Sequence, residues 1–214
     1  MSGPLRPNIE YMVANITRLK SLLPEAKTHL VYWKTNEDDH QILLQNFDFV
    51  HACDEPTDED LKAKKLEQTK QHKIQDIKWS LQSYKMFLGF RLLVENSQIE
   101  DDKIVIRVRS DLYVLDSMIE FLKTVPNNVL QYPYLRGCLG NDWFGICTYS
   151  VFKKVYYFSD DKEYNGFIKE CFNPEEVIIK KAQQGNVKIN HIKLKMAICR
   201  EYVDDSNKKL HFYD

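Results

Sequence analysis

The chain has 214 residues, of which 43% are hydrophobic, and this predicts one globular domain with a sizeable core, with two small lobes as the alternative. Lys and Arg total 30 against 31 for Asp and Glu, so no general positive field attracts a nucleic acid, and we expect no nucleic-acid partner. Binding of phosphate then depends on local groups such as Lys85, Arg107 and Arg109. This favours a small anionic ligand.

The cysteines and the apolar runs bear on the cellular compartment. The five cysteines contain no CxxC pair and no regular spacing, which predicts reduced thiols that act as small core residues. No apolar run approaches the length of a bilayer span, and the N-terminus has no basic-then-apolar leader. We therefore expect a soluble, cytoplasmic protein without a transmembrane segment.

Helix and strand patterns alternate along the first half of the chain. Asn8 is a candidate N-cap for the first helix, and Pro24 follows its end. The predicted elements are a helix over 9–23, a strand over 28–33, a helix or loop around 38–45, a strand over 47–53, a solvated loop or exposed helix over 54–73, and a helix over 74–93.

The alternation continues in the second half. The predicted elements are a strand from 104, a helix through 118–121, an extended segment over 129–135, a turn over 137–140, a helix near 151–157, a helix from 174 to 185, and a last strand over 187–198. The polar tail from about residue 200 either adds an edge strand or wraps the surface. Alternating strands and helices without a repeat predict a three-layer α/β domain.

The strand that begins at Ile104 ends by presenting one carboxylate. Its β-branched residues are typical of a strand buried in a sheet, and the chain turns at Asp111. Ligands of open α/β sheets collect at the carboxyl ends of strands, so Asp111 is placed to hold a divalent cation and a diphosphate. The alternative is a turn aspartate without a ligand.

Motifs of several other enzyme classes are absent. No GxGxxG follows a predicted strand and no GxxxxGK[ST] occurs, which removes the main support for dinucleotide oxidoreductases and P-loop enzymes. The chain also contains no GxSxG and no HExxH, so neither motif supports a hydrolase or a metalloprotease. A site for a metal and a diphosphate remains.

Six short motifs, taken in order, resemble nucleotide-sugar glycosyltransferases of the GT-A fold, in particular the small glycosyltransferase domain encoded by large chlorella viruses. They cover nearly the whole chain and are Ser2-Gly3-Pro4-Leu5-Arg6, Tyr32-Trp33-Lys34-Thr35, Gln82-Ser83-Tyr84-Lys85, Arg107 to Leu112, Asn141-Asp142-Trp143-Phe144-Gly145 and Pro174-Glu175-Glu176. A likeness to bacterial surface-polysaccharide transferases is weaker.

The resemblance implies a single three-layer, Rossmann-like GT-A domain over residues 1–214, with a mixed, mostly parallel central sheet of about six strands flanked by helices. It also implies transfer of a sugar from a UDP-sugar donor to a hydroxyl of a glycan or glycoprotein acceptor, as in building a viral glycan. Mn²⁺ would be the cofactor, with Mg²⁺ possible. Fold likeness favours retention of the anomeric configuration over inversion.

The resemblance makes Asp111 the metal ligand. The metal motif of the family is DxD, and Arg109-Ser110-Asp111 keeps only its last residue. His191, in the last predicted strand, is the candidate second ligand, and an imidazole favours Mn²⁺ over Mg²⁺. The alternative for His191 is a hydrogen-bonded side chain on a strand face.

The remaining candidate residues would bind the donor. Arg6 is a candidate for the nucleotide site, where Gly3 would let the backbone approach the ligand, although a Gly-Pro near a terminus is also typical of a flexible end. Lys85 and Arg109 would offset phosphate charge, and a solvated Lys85 on a helix face is the alternative.

The resemblance assigns the sugar to a pocket around Asp142. Asp142 would accept bonds from sugar hydroxyls while Trp143 and Phe144 form an apolar wall; the alternative is a turn followed by core aromatics. Glu175 and Glu176 lie in a first helical turn, where acids favour the helix dipole whatever the function. If one of them faces the cleft, it orients the acceptor or acts as general base.

Two other classes of function remain open. The missing first Asp of DxD is compatible with a noncatalytic α/β interaction domain. A metal-dependent nucleotidyltransferase also needs acidic metal ligands but would use a nucleoside triphosphate.

Overall fold

The computed structural model describes residues 8–34, 36–54, 57–63, 78–133 and 143–213. The helices in these ranges are α1 (Ile9–Leu22), α2 (Glu37–Asn46), α3 (Asp58–Ala63), α4 (Lys78–Asn96), α5 (Met118–Leu122), α6 (Tyr149–Tyr156), α7 (Asp161–Ile168) and α8 (Pro174–Gln184). None of these described helices combines the length and apolarity needed to cross a membrane.

The strands in the described ranges form three sheets. They are β1 (His29–Trp33), β2 (Phe49–Cys53), β3 (Ile104–Val108), β4 (Leu112–Val114), β5 (Val129–Pro133), β6 (Phe144–Thr148), β7 (Lys188–Ile192), β8 (Met196–Asp204) and β9 (Asn207–Tyr213). One sheet pairs β1 with β2, a second has the order β3-β6-β5-β7, and a third has the order β4-β8-β9. The mixed α/β class is therefore confirmed.

The expectation of one mostly parallel sheet of about six strands is wrong. In the described residues only β1 with β2 and β5 with β7 pair in parallel, and the other pairings are antiparallel. Connection length accounts for two of these antiparallel pairings. Only Asp205 and Ser206 join β8 to β9, and residues 134–143 join β5 to β6, whereas a parallel crossover needs about a dozen residues or more.

Most predicted elements are confirmed within a few residues, and the exceptions lie late in the chain. The strand predicted over 187–198 is instead two strands, β7 and β8, which belong to different sheets. The polar tail from about residue 200 adds β9 at the edge of the third sheet. An edge strand was one of the two predicted alternatives. The strands β4 and β6 and the helix α7 have no counterpart among the predicted elements.

Helix α1 is fixed to the third sheet by polar side chains that recur at helical spacing. Asn8 caps the helix by accepting a hydrogen bond from the Tyr11 amide, and its side chain donates to the Tyr202 carbonyl. Asn15 donates to the Leu112 carbonyl at 3.0 Å, and Arg18 donates to the Val114 carbonyl at 2.6 Å. Positions three or four apart share a face of a helix, so this polar face meets β4 and β8.

Helix α4 packs against β1 and β2 and contributes to the largest apolar cluster among the described residues. Phe87 and Phe90 of α4 pack edge to face against Phe158 and Phe152. Aromatic pairs in this geometry add about 0.5–1.5 kcal/mol beyond their burial. Gly89 is required by the close approach of α4 to β1, because a Cβ there would lie 2.6 Å from Cγ1 of Val31.

Helices α7 and α8 are joined by an ion pair between a buried lysine and a partly exposed glutamate. The Lys181 ammonium donates to Oε1 of Glu163 at 2.7 Å and is 7% exposed. It also lies over the rings of Phe158 and Phe167, at 4.4 and 5.2 Å from their centres. The second oxygen of Glu163 accepts from the Ser159 amide and hydroxyl, so the carboxylate has several donors.

A pair of histidines makes the stability of the β1-β2 sheet sensitive to pH. Nδ1 of His29 and Nε2 of His51 lie 3.4 Å apart, and burial together with the neighbouring His51 lowers the pKa of His29 to about 4. The unfolded chain, with a His pKa near 6.5, binds this proton more readily. Stability should therefore be fully present at neutral pH and fall as the pH drops from about 6.5 to 4.

We expect His29→Gln to lose part of this pH dependence. The melting temperature of the unmodified chain should fall more between pH 7 and pH 5 than that of the variant, and both should be followed by circular dichroism. An NMR titration of His29 with a midpoint near 6.5 would contradict the prediction.

Candidate functional site

The end of β3 builds a tight turn that presents Asp111. The Arg109 amide donates to the Trp143 carbonyl at 2.8 Å and extends the pairing with β6 by one residue. The Leu112 amide then donates to the Arg109 carbonyl, and the Cys199 amide donates to the Asp111 carbonyl at 2.8 Å. The backbone of Asp111 is therefore held between the second and third sheets.

The Asp111 carboxylate is buried and bound by a nearby arginine. Asp111 is 4% exposed, and Arg109 donates to its two oxygens from Nε at 2.6 Å and from Nη2 at 3.1 Å. Such two-point pairing fixes orientation as well as charge. The guanidinium also lies 4.6 Å from the ring centre of Trp143. Arg109, Asp111 and Trp143 together are called the Asp111 cluster.

Tyr11 of α1 and Cys199 of β8 lie beside the Asp111 cluster. Burial raises the pKa of Tyr11 well above its usual value, and the nearby Cys199 and Asp111 raise it further. The buried Tyr11 hydroxyl has no hydrogen-bond partner among the described residues. Burial is also the main cause of the raised pKa of Cys199. Tyr11 is thus a neutral hydroxyl next to the carboxylate, whereas Cys199 is not poised as a nucleophile.

Arg109 does not occupy every lone-pair position of the Asp111 carboxylate. Arg109 uses two of the roughly four lone-pair positions of the carboxylate. The described residues contain no group of three or more His, Cys, Asp or Glu side chains placed to hold an ion. Mg²⁺ bound with phosphates often uses only one or two carboxylates. The described part of the chain offers the buried Asp111 carboxylate for such an ion, and metal binding there stays a prediction.

His191 lies on another strand of the second sheet. It is exposed on β7, opposite Tyr132, whose ring it meets edge to face at 5.1 Å. β6 and β5 separate β7 from β3, which places the two strands roughly 14 Å apart at about 4.8 Å per spacing. The structure does not bring His191 together with Asp111, and its role as a ligand stays a prediction.

Glu175 and Glu176 lie in the first turn of α8. Asn173 caps this helix by accepting from the Glu176 amide at 2.9 Å, and the Glu176 carboxylate accepts from the Phe172 amide. This reciprocal arrangement satisfies amides at the helix start, and it gives Glu176 a structural role. Glu175 is partly buried, and a role with the acceptor stays a prediction for both.

Arg107 is the only one of the other candidate residues whose side chain the structure describes. The Arg107 side chain lies in the core near the rings of Phe90 and Tyr156, at 5.4 and 5.7 Å, and its Nη2 lies 3.2 Å from the Met86 sulfur. Lys85 belongs to α4, but its side chain is not described. Gly3, Arg6 and Asp142 lie outside the described residues.

Sequence reasoning missed Tyr11 and the contact between Arg109 and Trp143. The signal for Tyr11 was its spacing: Asn8, Tyr11, Asn15 and Arg18 recur every three or four residues within an otherwise apolar helix pattern. The contact between Arg109 and Trp143 had no local signal, because it depends on the antiparallel pairing of β3 with β6.

Comparisons with known proteins add no family to this picture. No protein-family model matches the chain, and neither the curated proteins nor the solved structures contain a match to it.

Proposed function

We propose that the chain is a metal-dependent glycosyltransferase that takes a UDP-sugar and transfers the sugar to a glycan hydroxyl. The observation that carries the proposal is the buried Asp111 carboxylate at the carboxyl end of β3, held in place by Arg109. Phosphate ligands bind at the carboxyl ends of parallel strands in open α/β sheets, but β3 pairs antiparallel with β6, so the proposal rests on the carboxylate and its arginine. The GT-A fold, a UDP donor and Mn²⁺ are parts of this proposal.

The residues of the Asp111 cluster have separate roles in it. A divalent cation, when bound, supplies charge neutralisation of the departing diphosphate. Asp111 holds that cation, and Arg109 orients the carboxylate and adds positive charge beside the phosphates. Trp143 fixes the guanidinium plane.

A noncatalytic α/β interaction domain is the second candidate. It is favoured by the ion pair itself, because Arg109 already neutralises Asp111. It is also favoured by the absence, among the residues that the structure describes, of a group of three or more His, Cys, Asp or Glu side chains that could hold an ion.

Thermal unfolding with UDP, GDP, CMP and UTP, each with and without Mn²⁺, separates the candidates. We expect UDP with Mn²⁺ to raise the melting temperature most, because the proposed site binds these two together. A ligand at 100 times its Kd stabilises the folded state by about 2.7 kcal/mol. For a chain of this size that is roughly 5–11 °C. No response to any nucleotide would favour the interaction domain, and preference for UTP with pyrophosphate release would favour nucleotidyl transfer.

A further inference from the structure

Two histidine side chains meet on one face of the β1-β2 sheet. The strands pair in parallel, with His29 opposite Phe49 and His51 opposite Val31. Opposed residues of neighbouring strands, and residues two apart on one strand, project to the same side. The Phe49 ring stacks on the His29 ring with 4.5 Å between their centres, which holds the His29 ring in place. His29 and His51 are called the histidine pair.

The facing nitrogens of the histidine pair are spaced like two ligands of one metal ion. Nδ1 of His29 and Nε2 of His51 lie 3.4 Å apart, and the planes of the two rings meet at 4°. A well-formed N–H hydrogen bond has a shorter separation of about 2.7–3.2 Å. Two nitrogens bound to Zn²⁺ at about 2.0–2.1 Å and at a tetrahedral angle lie about 3.3–3.4 Å apart. The observed distance therefore suits a shared ion better than a strong hydrogen bond.

Both imidazoles of the histidine pair are neutral at pH 7. Burial is the first cause that lowers the pKa of His29 to about 4, and burial also lowers the pKa of His51. Metal ions bind the neutral imidazole. A neutral ring carries one N–H and one lone pair, so a donor ring that moves its proton to its other nitrogen presents a lone pair without releasing a proton. Both side chains are partly exposed, which gives an ion and water access.

We propose that the histidine pair binds a divalent transition-metal ion, with Zn²⁺ as the ion that the spacing fits and water as the remaining ligands. Imidazole nitrogens suit zinc, copper and nickel, whereas magnesium and calcium take oxygen ligands. The part of the chain that the structure describes contains no group of three His, Cys, Asp or Glu side chains that could hold an ion. The neighbouring Asp48 carboxylate is already bound by the Thr28 amide and hydroxyl. The site therefore has two protein ligands.

The bound ion links two strands that come from different parts of the chain. His29 begins β1, and His51 lies in the middle of β2. The unfolded chain does not hold these two rings together, so Zn²⁺ binds the folded state preferentially and stabilises it by mass action. Zn²⁺ should raise the melting temperature in a manner that depends on its concentration.

The test uses the full chain with Zn²⁺ alone and no nucleotide. NMR signals of the His29 and His51 rings should shift together as Zn²⁺ is added. His51→Gln should weaken Zn²⁺ binding, measured by calorimetry, at least about tenfold, since even loss of an outer-shell partner of a metal ligand costs that much. His211→Gln is the matched control, because His211 is exposed on β9, and it should bind Zn²⁺ like the unmodified chain.

Asp111→Asn separates this site from the Asp111 cluster. The variant should keep both the affinity for Zn²⁺ and the shifts of the two ring signals. Loss of Zn²⁺ binding in Asp111→Asn would overturn the proposal. Unchanged ring signals of His29 and His51 at saturating Zn²⁺ would also overturn it, and this result does not depend on the folding of any variant. So would equal affinity of His51→Gln and His211→Gln, with both folded by circular dichroism.

Discussion

Asp111→Asn is expected to reduce UDP-sugar turnover at least about 100-fold. The substitution keeps the size of the side chain and one oxygen that accepts from Arg109, but it removes the charge that would hold the cation. Losses of this order follow removal of a group that stabilises transition-state charge or organises a metal. Release of UDP from a panel of UDP-sugars with Mn²⁺ measures the effect.

Asp116→Asn is the matched control for this variant. Asp116 also pairs with an arginine, because Arg18 donates to it at 2.7 Å, but its side chain is 71% exposed. An exposed pair contributes only about 0–1 kcal/mol, so this variant should keep both stability and turnover. If Asp111→Asn is folded by circular dichroism and its turnover equals that of Asp116→Asn, Asp111 has no role in the reaction.

Glu163→Gln is expected to destabilise the fold by about 3 kcal/mol. The variant leaves the buried Lys181 ammonium without its counter-charge, and loss of one partner of a buried pair is costly. For a chain of 214 residues this corresponds to a fall of roughly 6–12 °C in melting temperature. Urea unfolding followed by circular dichroism gives the free energy.

A double-mutant cycle controls for other effects of the Glu163 substitution. Lys181→Met removes the buried charge but keeps an unbranched apolar stem, so the variant that carries both changes should recover much of the lost stability. Strictly additive losses in the double variant would show that the ion pair is not the cause.

The same pair predicts a loss of stability in acid. Burial alone would raise the pKa of Glu163, but the hydrogen bond from Lys181 and those from Ser159 lower it below its usual 4.5. A carboxylate with a depressed folded pKa stabilises the fold above pH 4.5, and this contribution is lost as the pH falls through the folded pKa. Glu163→Gln should therefore show a smaller loss of stability below pH 4.5.

Local patterns predicted helices and single strands well because they depend on neighbouring residues. The spacing of apolar residues and the Asn8 cap predicted α1, which begins one residue after Asn8. The β-branched residues from Ile104 predicted β3. The capping role of Glu176 could also be predicted from the sequence, since an asparagine three residues before a glutamate is a helix-start pattern.

The direction of each strand and its neighbours in the sheet could not be predicted from local patterns. The resemblance implied a mostly parallel sheet, yet β6 lies antiparallel between β3 and β5. Nothing in the residues of β6 specifies its neighbours, because both faces of a central strand are apolar in either direction. His191 illustrates the consequence: the resemblance made it the candidate second ligand beside Asp111, and β7 lies at the far edge of the sheet from β3.

Titration of Mn²⁺ in the presence of UDP, followed by the electron paramagnetic resonance signal of the free ion, tests the role of Asp111 most directly. The unmodified chain should remove free Mn²⁺ in a UDP-dependent manner, and Asp111→Asn at the same UDP concentration should not. Equal uptake of Mn²⁺ by the two proteins, or no uptake by the unmodified chain, would contradict the assignment of Asp111 as the residue that holds the metal.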